Sequence, residues 1–239
     1  MKNILISLNN VTHRTLCIKP NKAYAHASKQ HLVPIMVDEI IDAATEYPVV
    51  WVKHAMTGEF TLVAIMALKP QTNLYCGDNA RLSNYFPRAI KLYPFVIYGS
   101  TQNEQMEVCV QDDEELVSEQ QGNRLFEENG DQTAFLKQKV AMLSHHSQQQ
   151  EVTNAFVKLL LEHDLVHAQK VDINLSDEDN FSFDGIYTID VKKLHSLAPD
   201  IFVSLRSNGA LQVIYAHLNS LKQLNRLTHI TRSLGQGSH

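Results

Sequence analysis

Several signatures are missing from this chain, and each absence closes off a class of chemistry. Its three cysteines, Cys17, Cys76 and Cys109, lie far apart with no CxxC spacing, so neither a zinc ribbon nor a thioredoxin-like pair is available. An odd number of scattered thiols suits a reducing compartment. No GxGxxG, GxxxxGK(S/T) or GxSxG occurs, which removes the phosphate-cradling loops and the nucleophile elbow. Apolar runs fall well short of the roughly 20 residues that span a bilayer. The short apolar start Ile4–Leu8 runs into Asn9-Asn10 with no small-residue cleavage site, so no signal peptide is expected and the cytoplasm is the default location. Positive charge is in deficit as well. With 21 Lys and Arg against 26 Asp and Glu, the net charge is −5, which speaks against a nucleic-acid binder that works by neutralising phosphates. There are no internal repeats, and only the Gln148–Gln150 tract is low in complexity.

What remains is an ordinary globular composition, 44% hydrophobic and 20% charged over 239 residues, long enough to bury a real core. The densest β-branched and aromatic block runs from Tyr47 to Tyr98 and contains the only tryptophan, Trp51. Pro48–Lys53 and Phe60–Leu68 flank Met56-Thr57-Gly58-Glu59, a turn in which Gly58 takes positive φ, and this predicts a hairpin. Asn73–Cys76 restarts a strand after Pro70, and Phe95–Tyr98 with Met106–Val110 predicts a second hairpin. Strands joined by such short turns imply a mainly antiparallel sheet.

Helices are expected around and after this block. Asp38 caps a short one reaching Thr45, and Ser83–Lys91 forms another with Pro87 near its start. Asp131 or Thr133 starts a helix to about His145, and after Ser147–Gln150 a second runs from Glu151 to about His167. Val171–Leu175 and Phe183–Ile189 read as one more strand pair around the acidic loop Ser176–Asn180. Asp190 caps Val191–Leu197, Pro199 opens the next helix, Asn208-Gly209 closes it, and Ala210–Ser233 forms the last. The expectation is an α+β fold, a mainly antiparallel sheet from the N-terminal half packed against helices mostly from the C-terminal half. It is a single domain over 1–239, β-rich to about 112 and helix-rich from about 131 to 234.

Candidate chemistry is sparse. His163 and His167, in His163-Asp164-Leu165-Val166-His167, would share a face of the predicted helix and imitate the HExxH of zinc peptidases. Asp stands where the peptidase base is Glu, however, and no third ligand is identifiable. His217 and Ser220 stand one helical turn apart, but a Ser–His couple also needs an orienting group and an oxyanion hole. Close helix packing at Ala216 and Ser220, with His217 bonded to a neighbouring loop, accounts for the same residues. Tyr85, Tyr93, Phe95 and Tyr98, beside Arg88 and Lys91, would line a pocket or a partner-binding surface built on the hairpins around Trp51. Core packing with exposed phenol tips is the plainer reading of that cluster.

An ordered set of motifs spans about residues 20 to 228: Tyr47-Pro48-Val49-Val50-Trp51-Val52, Ala64–Leu68 with Asn73-Leu74-Tyr75, Tyr85-Phe86-Pro87 and Tyr93-Pro94-Phe95, Gly122 with Leu125-Phe126 and Asn129-Gly130, Gly185-Ile186-Tyr187, and Gly209-Ala210-Leu211 leading into Ile214–Leu221. Together they resemble the SapC family, named for an S-layer-related protein. The chain departs from the family in one place: Asp78-Asn79-Ala80-Arg81-Leu82 lacks the tryptophan usual in that segment. The resemblance implies no catalytic residues and no cofactor. It implies an accessory or binding protein acting with a protein partner, such as a flavin-dependent halogenase-like protein or a cupin-like oxygenase, in peptide or protein modification or in nutrient uptake. The binding residues expected are Trp51, Tyr85, Arg88, Tyr93, Phe95, Tyr98 and His217. A metal-dependent enzyme using His163 and His167, or a surface-layer structural or secretion component, are the alternatives.

Overall fold

A computed structural model of the chain describes residues 4–21, 23–77, 83–99, 107–174 and 180–235. Its strands, in chain order, are β1 (Leu5–Ser7), β2 (Cys17–Ile18), β3 (Leu32–Pro34), β4 (Val49–Lys53), β5 (Phe60–Ile65), β6 (Phe95–Tyr98), β7 (Glu107–Gln111), β8 (Val117–Ser118), β9 (Asn123–Arg124), β10 (Val166–Asn174) and β11 (Asn180–Ile189). Its α-helices are α1 (Ile40–Ala43), α2 (Arg88–Leu92), α3 (Ala134–Glu162), α4 (Val191–His195), α5 (Pro199–Ser207), α6 (Ala210–Ser220) and α7 (Gln223–Gly235). All strand pairs among the described residues are antiparallel, and the fold is α+β. Among those residues no helix is long and apolar enough to cross a membrane. The segment 78–82, the β6–β7 connection at 100–106, the acidic loop at 175–179 and the tail at 236–239 lie outside the described residues.

The chain divides into two compact units, one of residues 1–24 and 89–148, the other of residues 25–88 and 149–239. The two expected hairpins form, but they join different sheets. In the first unit β6 and β7 pair from Phe95↔Val110 to Tyr98↔Glu107, and β1 adds to the other edge of β7. A small sheet β8-β2-β9 stands beside this. Leu16, Ile18, Phe95, Val110, Leu125, Phe126, Leu136 and Leu143 form the core of this unit. Leu125 and Phe126 thus anchor the polar stretch around them to this core.

In the second unit β4 and β5 form the expected hairpin, with Trp51 opposite Leu62 and Gly58 at φ +74. The order of its five-stranded sheet is β10-β11-β4-β5-β3. The late strand pair therefore adds to the open edge of β4. Trp51, Val49, Val50, Leu62 and Ile65 are buried there with Ile214 of α6.

Several local expectations change. Residues 131–167 do not form two helices. α3 runs through 29 residues without a break, because Ser147–Gln150 contains neither Gly nor Pro and glutamine is a good helix former. The turn before α1 is not capped by Asp38. The backbone N–H of Met36 instead donates to Glu39 Oε2 at 3.0 Å. Asn73–Cys76 is not a strand, since the Asn73 side chain turns the backbone by accepting from Tyr75 N–H at 2.9 Å. The final helix is split at Leu221-Lys222 into α6 and α7. Asp190 does cap α4 by accepting from Lys192 and Lys193 N–H, and Pro199 does sit in the first turn of α5.

Candidate functional site

His217 lies on α6 with no exposed surface, wedged between two strands. β11 pairs with β4 at Ile186↔Val52 and Tyr187↔Trp51, and continuing that register would set Ile189 opposite Val49. The imidazole occupies that rung instead. Its Nδ1 is 2.8 Å from the Val49 carbonyl, and its Nε2 is 3.2 Å from the Ile189 N–H. A carbonyl only accepts and an amide N–H only donates, so the proton is on Nδ1 and the ring is neutral. Burial holds the ring down to about 4, against the opposing pull of the Val49 carbonyl. Ser220 completes the wedge: its Oγ accepts from Val49 N–H at 3.0 Å and donates to the His217 carbonyl at 2.6 Å. The bond expected to a loop goes to strand ends, and both ring nitrogens are engaged by backbone. Trp51, also without exposed surface, packs its ring 4.7 Å from that of His217.

Two buried glutamates organise a second cluster in the same unit. Glu39 accepts from the Tyr85 hydroxyl at 2.5 Å and from Arg88 N–H at 2.6 Å, as well as from Met36 N–H. The Arg88 guanidinium pairs with Asp38 at 2.7 Å. Burial and the Glu39 carboxylate together push the Tyr85 phenol well above its ordinary range. Glu46 accepts from the Asn84 side chain and from Arg226, both at 2.9 Å. Its burial alone would raise the carboxyl, but those two donors outweigh it and leave it lowered. The buried Tyr47 hydroxyl donates to the Tyr85 carbonyl at 2.5 Å and meets Ser83 Oγ at 2.6 Å. Tyr85 and Arg88 are thus fastened to the core of their unit.

The first unit holds the other aromatics. Phe95 and Tyr98 are three residues apart on β6, so their side chains leave opposite faces of the sheet. Phe95 is buried and Tyr98 is 65% exposed. Phe95 and Tyr93 line a recess of about 220 Å³ together with Lys91, Phe135, Lys139 and Met142. Phe135, Lys139 and Met142 come from one face of α3, at the i, i+4, i+7 spacing. The Lys139 ammonium donates to the Lys91 carbonyl at 2.8 Å and lies 5.9 and 5.8 Å from the ring centres of Phe95 and Phe135. Burial, with the nearby Lys91 charge, lowers its pKa. Among the described residues no carboxylate forms an ion pair with it. The Tyr93 hydroxyl donates to Asp113 at 2.7 Å.

The expected seven-residue set is divided between the two units. Trp51, Phe95 and His217 are buried, Tyr85 and Arg88 are bound into the glutamate cluster, Tyr93 borders the recess, and Tyr98 faces away from Phe95. Lys139 and Glu39 were not singled out in the sequence. The available signals were a lysine set among Phe135 and Met142 on one helix face, and an acid three residues into a helix start.

His163 and His167 do not share a helix. α3 ends at Glu162, Asp164 takes a left-handed φ of +51, and His167 lies on β10, where its Nε2 meets Gln169 Oε1 at 3.1 Å. Among the described residues no three His, Cys, Asp or Glu side chains converge as a metal site.

The SapC family profile matches residues 8–227. The chain belongs to the SapC family. No curated protein and no solved structure matches it. The motifs of this SapC chain supply mainly its two cores: Val49–Trp51 and Ala64–Leu68 in one unit, Leu125-Phe126 and Phe95 in the other.

Proposed function

We propose that this SapC-family chain is a non-enzymatic accessory protein that binds another protein, and that the recess around Tyr93, Phe95 and Lys139 is part of its contact surface. The observation that carries this reading is Lys139, a half-buried cation in an aromatic recess, with one carbonyl as its hydrogen-bond partner. Aromatic side chains grouped with a desolvated cation are the chemistry of binding hot spots. His217, one of the histidines weighed for catalysis, supports the same reading because both its ring nitrogens are engaged by backbone of two strands. The family resemblance supplies the class of partner, a halogenase-like flavoprotein or a cupin-like oxygenase in peptide or protein modification or nutrient uptake. Three free, buried cysteines suit a cytoplasmic setting.

Affinity capture from the native host on the immobilised chain tests this. Wild type is expected to retain a flavoprotein or an oxygenase, and Lys139→Glu to retain much less of it. Equal retention by the two proteins would remove the recess from the contact surface. Stoichiometric zinc or iron in the purified chain, lost on replacing His163 and His167 with alanine, would overturn the non-enzymatic reading.

A further inference from the structure

The Lys139 recess is small. Sites that engulf a whole ligand have about 300–1,000 Å³, whereas this one has about 220 Å³. It has room for one end group, with the remainder of the molecule outside. Phe95, Phe135 and Met142 give it apolar walls, and the Lys139 ammonium stands among them. That ammonium has three N–H donors, and one is used, on the Lys91 carbonyl. Two donors thus remain for an acceptor. The acceptor that gains most from a cation in such surroundings is an anion, since water competes least there.

We infer that the recess receives a carboxylate on a short apolar or aromatic stem, presented by an acidic or chain-terminal residue of the protein partner. This inference rests on the partner-binding reading given above and adds the chemistry of the group recognised. The carboxylate would take the free Lys139 donors while its stem lies against Phe95, Phe135 and Met142. The pKa of Lys139, lowered by burial and by the Lys91 charge, agrees with a cation that no carboxylate among the described residues pairs with. Binding would raise it again.

The recess can be tested without the partner. Met142 lines it, so a chain labelled with ¹³C at its methionine methyls carries a reporter there, and Met66, buried in the other unit, serves as a control for the fold. The Met142 signal is assigned from Met142→Leu. Phenylacetate is titrated against the full-length protein, with phenylacetamide as the neutral isostere, inorganic phosphate as the anion without a stem, and a short peptide ending in phenylalanine as free acid or amide. Phenylacetate and the free-acid peptide are expected to shift Met142 and not Met66. Phenylacetamide and the peptide amide should bind about tenfold more weakly or worse, the loss of one charge-assisted hydrogen bond. Lys139→Gln should show the same loss, and Lys139→Arg should retain binding. If Lys139→Gln disturbs the Met66 signal, the comparison of acid with amide on wild type still decides. Equal binding of acid and amide, a response to phosphate alone, or no Met142 response would overturn the inference. If capture of a partner persists while phenylacetate fails, the ligand class falls and the binding reading stands. If phenylacetate binds and no protein is captured, the partner is what falls.

Discussion

His217 replaces a rung of backbone hydrogen bonding with an imidazole, and this makes stability depend on pH. The unfolded side chain titrates near 6.5, while the folded one is held down to about 4. Between these values the unfolded state binds a proton that the folded state refuses, so stability falls as pH drops through that window and is fully present above it. The loss is on the order of 3 kcal/mol at the acid end. Urea melts from pH 7 to pH 4 should show it, and a His217→Ala protein should lack that part of the slope. The same substitution removes the partner of the Ile189 N–H and leaves the Val49 carbonyl only its long 3.5 Å bond from Ser220 Oγ, and is expected to cost roughly 2–5 kcal/mol at neutral pH. Gly122 is the other residue with a sharp requirement. It has φ +116, and a Cβ there would collide with the Ile18 carbonyl and lie 2.7 Å from the Lys19 nitrogen. Gly122→Ala should destabilise the protein by more than 1 kcal/mol, on the order of other backbone-strain substitutions, as a lowered denaturation midpoint.

The most informative element is α3, about 44 Å long at 1.5 Å per residue. Its buried positions are Leu136 and Leu143 near one end and Thr153, Phe156, Val157 and Leu160 near the other, with a polar stretch between them. That gap in the apolar stripe, at Ser147–Gln150, looks like a linker when periodicity alone is read. Continuity of backbone hydrogen bonding does not need a buried face at every turn, and nothing in the stretch breaks a helix. Gln149→Pro separates the alternatives. In a continuous helix it should cost about 3 kcal/mol or more, with a loss of ellipticity at 222 nm; in a linker it would cost almost nothing. His167 was misplaced for a related reason. Leu165 and Val166 continue the apolar spacing of α3, but Asp164 in the left-handed region turns the chain and sends Val166 and His167 into the five-stranded sheet. By contrast the Asp190 cap, Pro199 and the Gly58 turn were legible, because each depends on chemistry within three or four residues of itself.

At the scale of the whole molecule, neither unit is a continuous stretch of chain, and the boundary at Gln148/Gln149 falls inside α3. A chain so divided is expected to unfold as one domain. Trp51, the only tryptophan, reports on the second unit, while far-UV circular dichroism reports on both. Their denaturation curves should share one midpoint and one slope, and two separated transitions would show independent domains. The sequence by itself determined the α+β class, the antiparallel hairpins, most helix ends and the family, since these follow from turn residues, periodicity and motif order. Only the tertiary structure decided which sheet each hairpin joins, that His217 is a strand wedge, and that Lys139 is set between the rings of Phe95 and Phe135. Strand partners and the burial of a lone polar side chain are set by segments distant in sequence, and no local pattern records which of them will arrive.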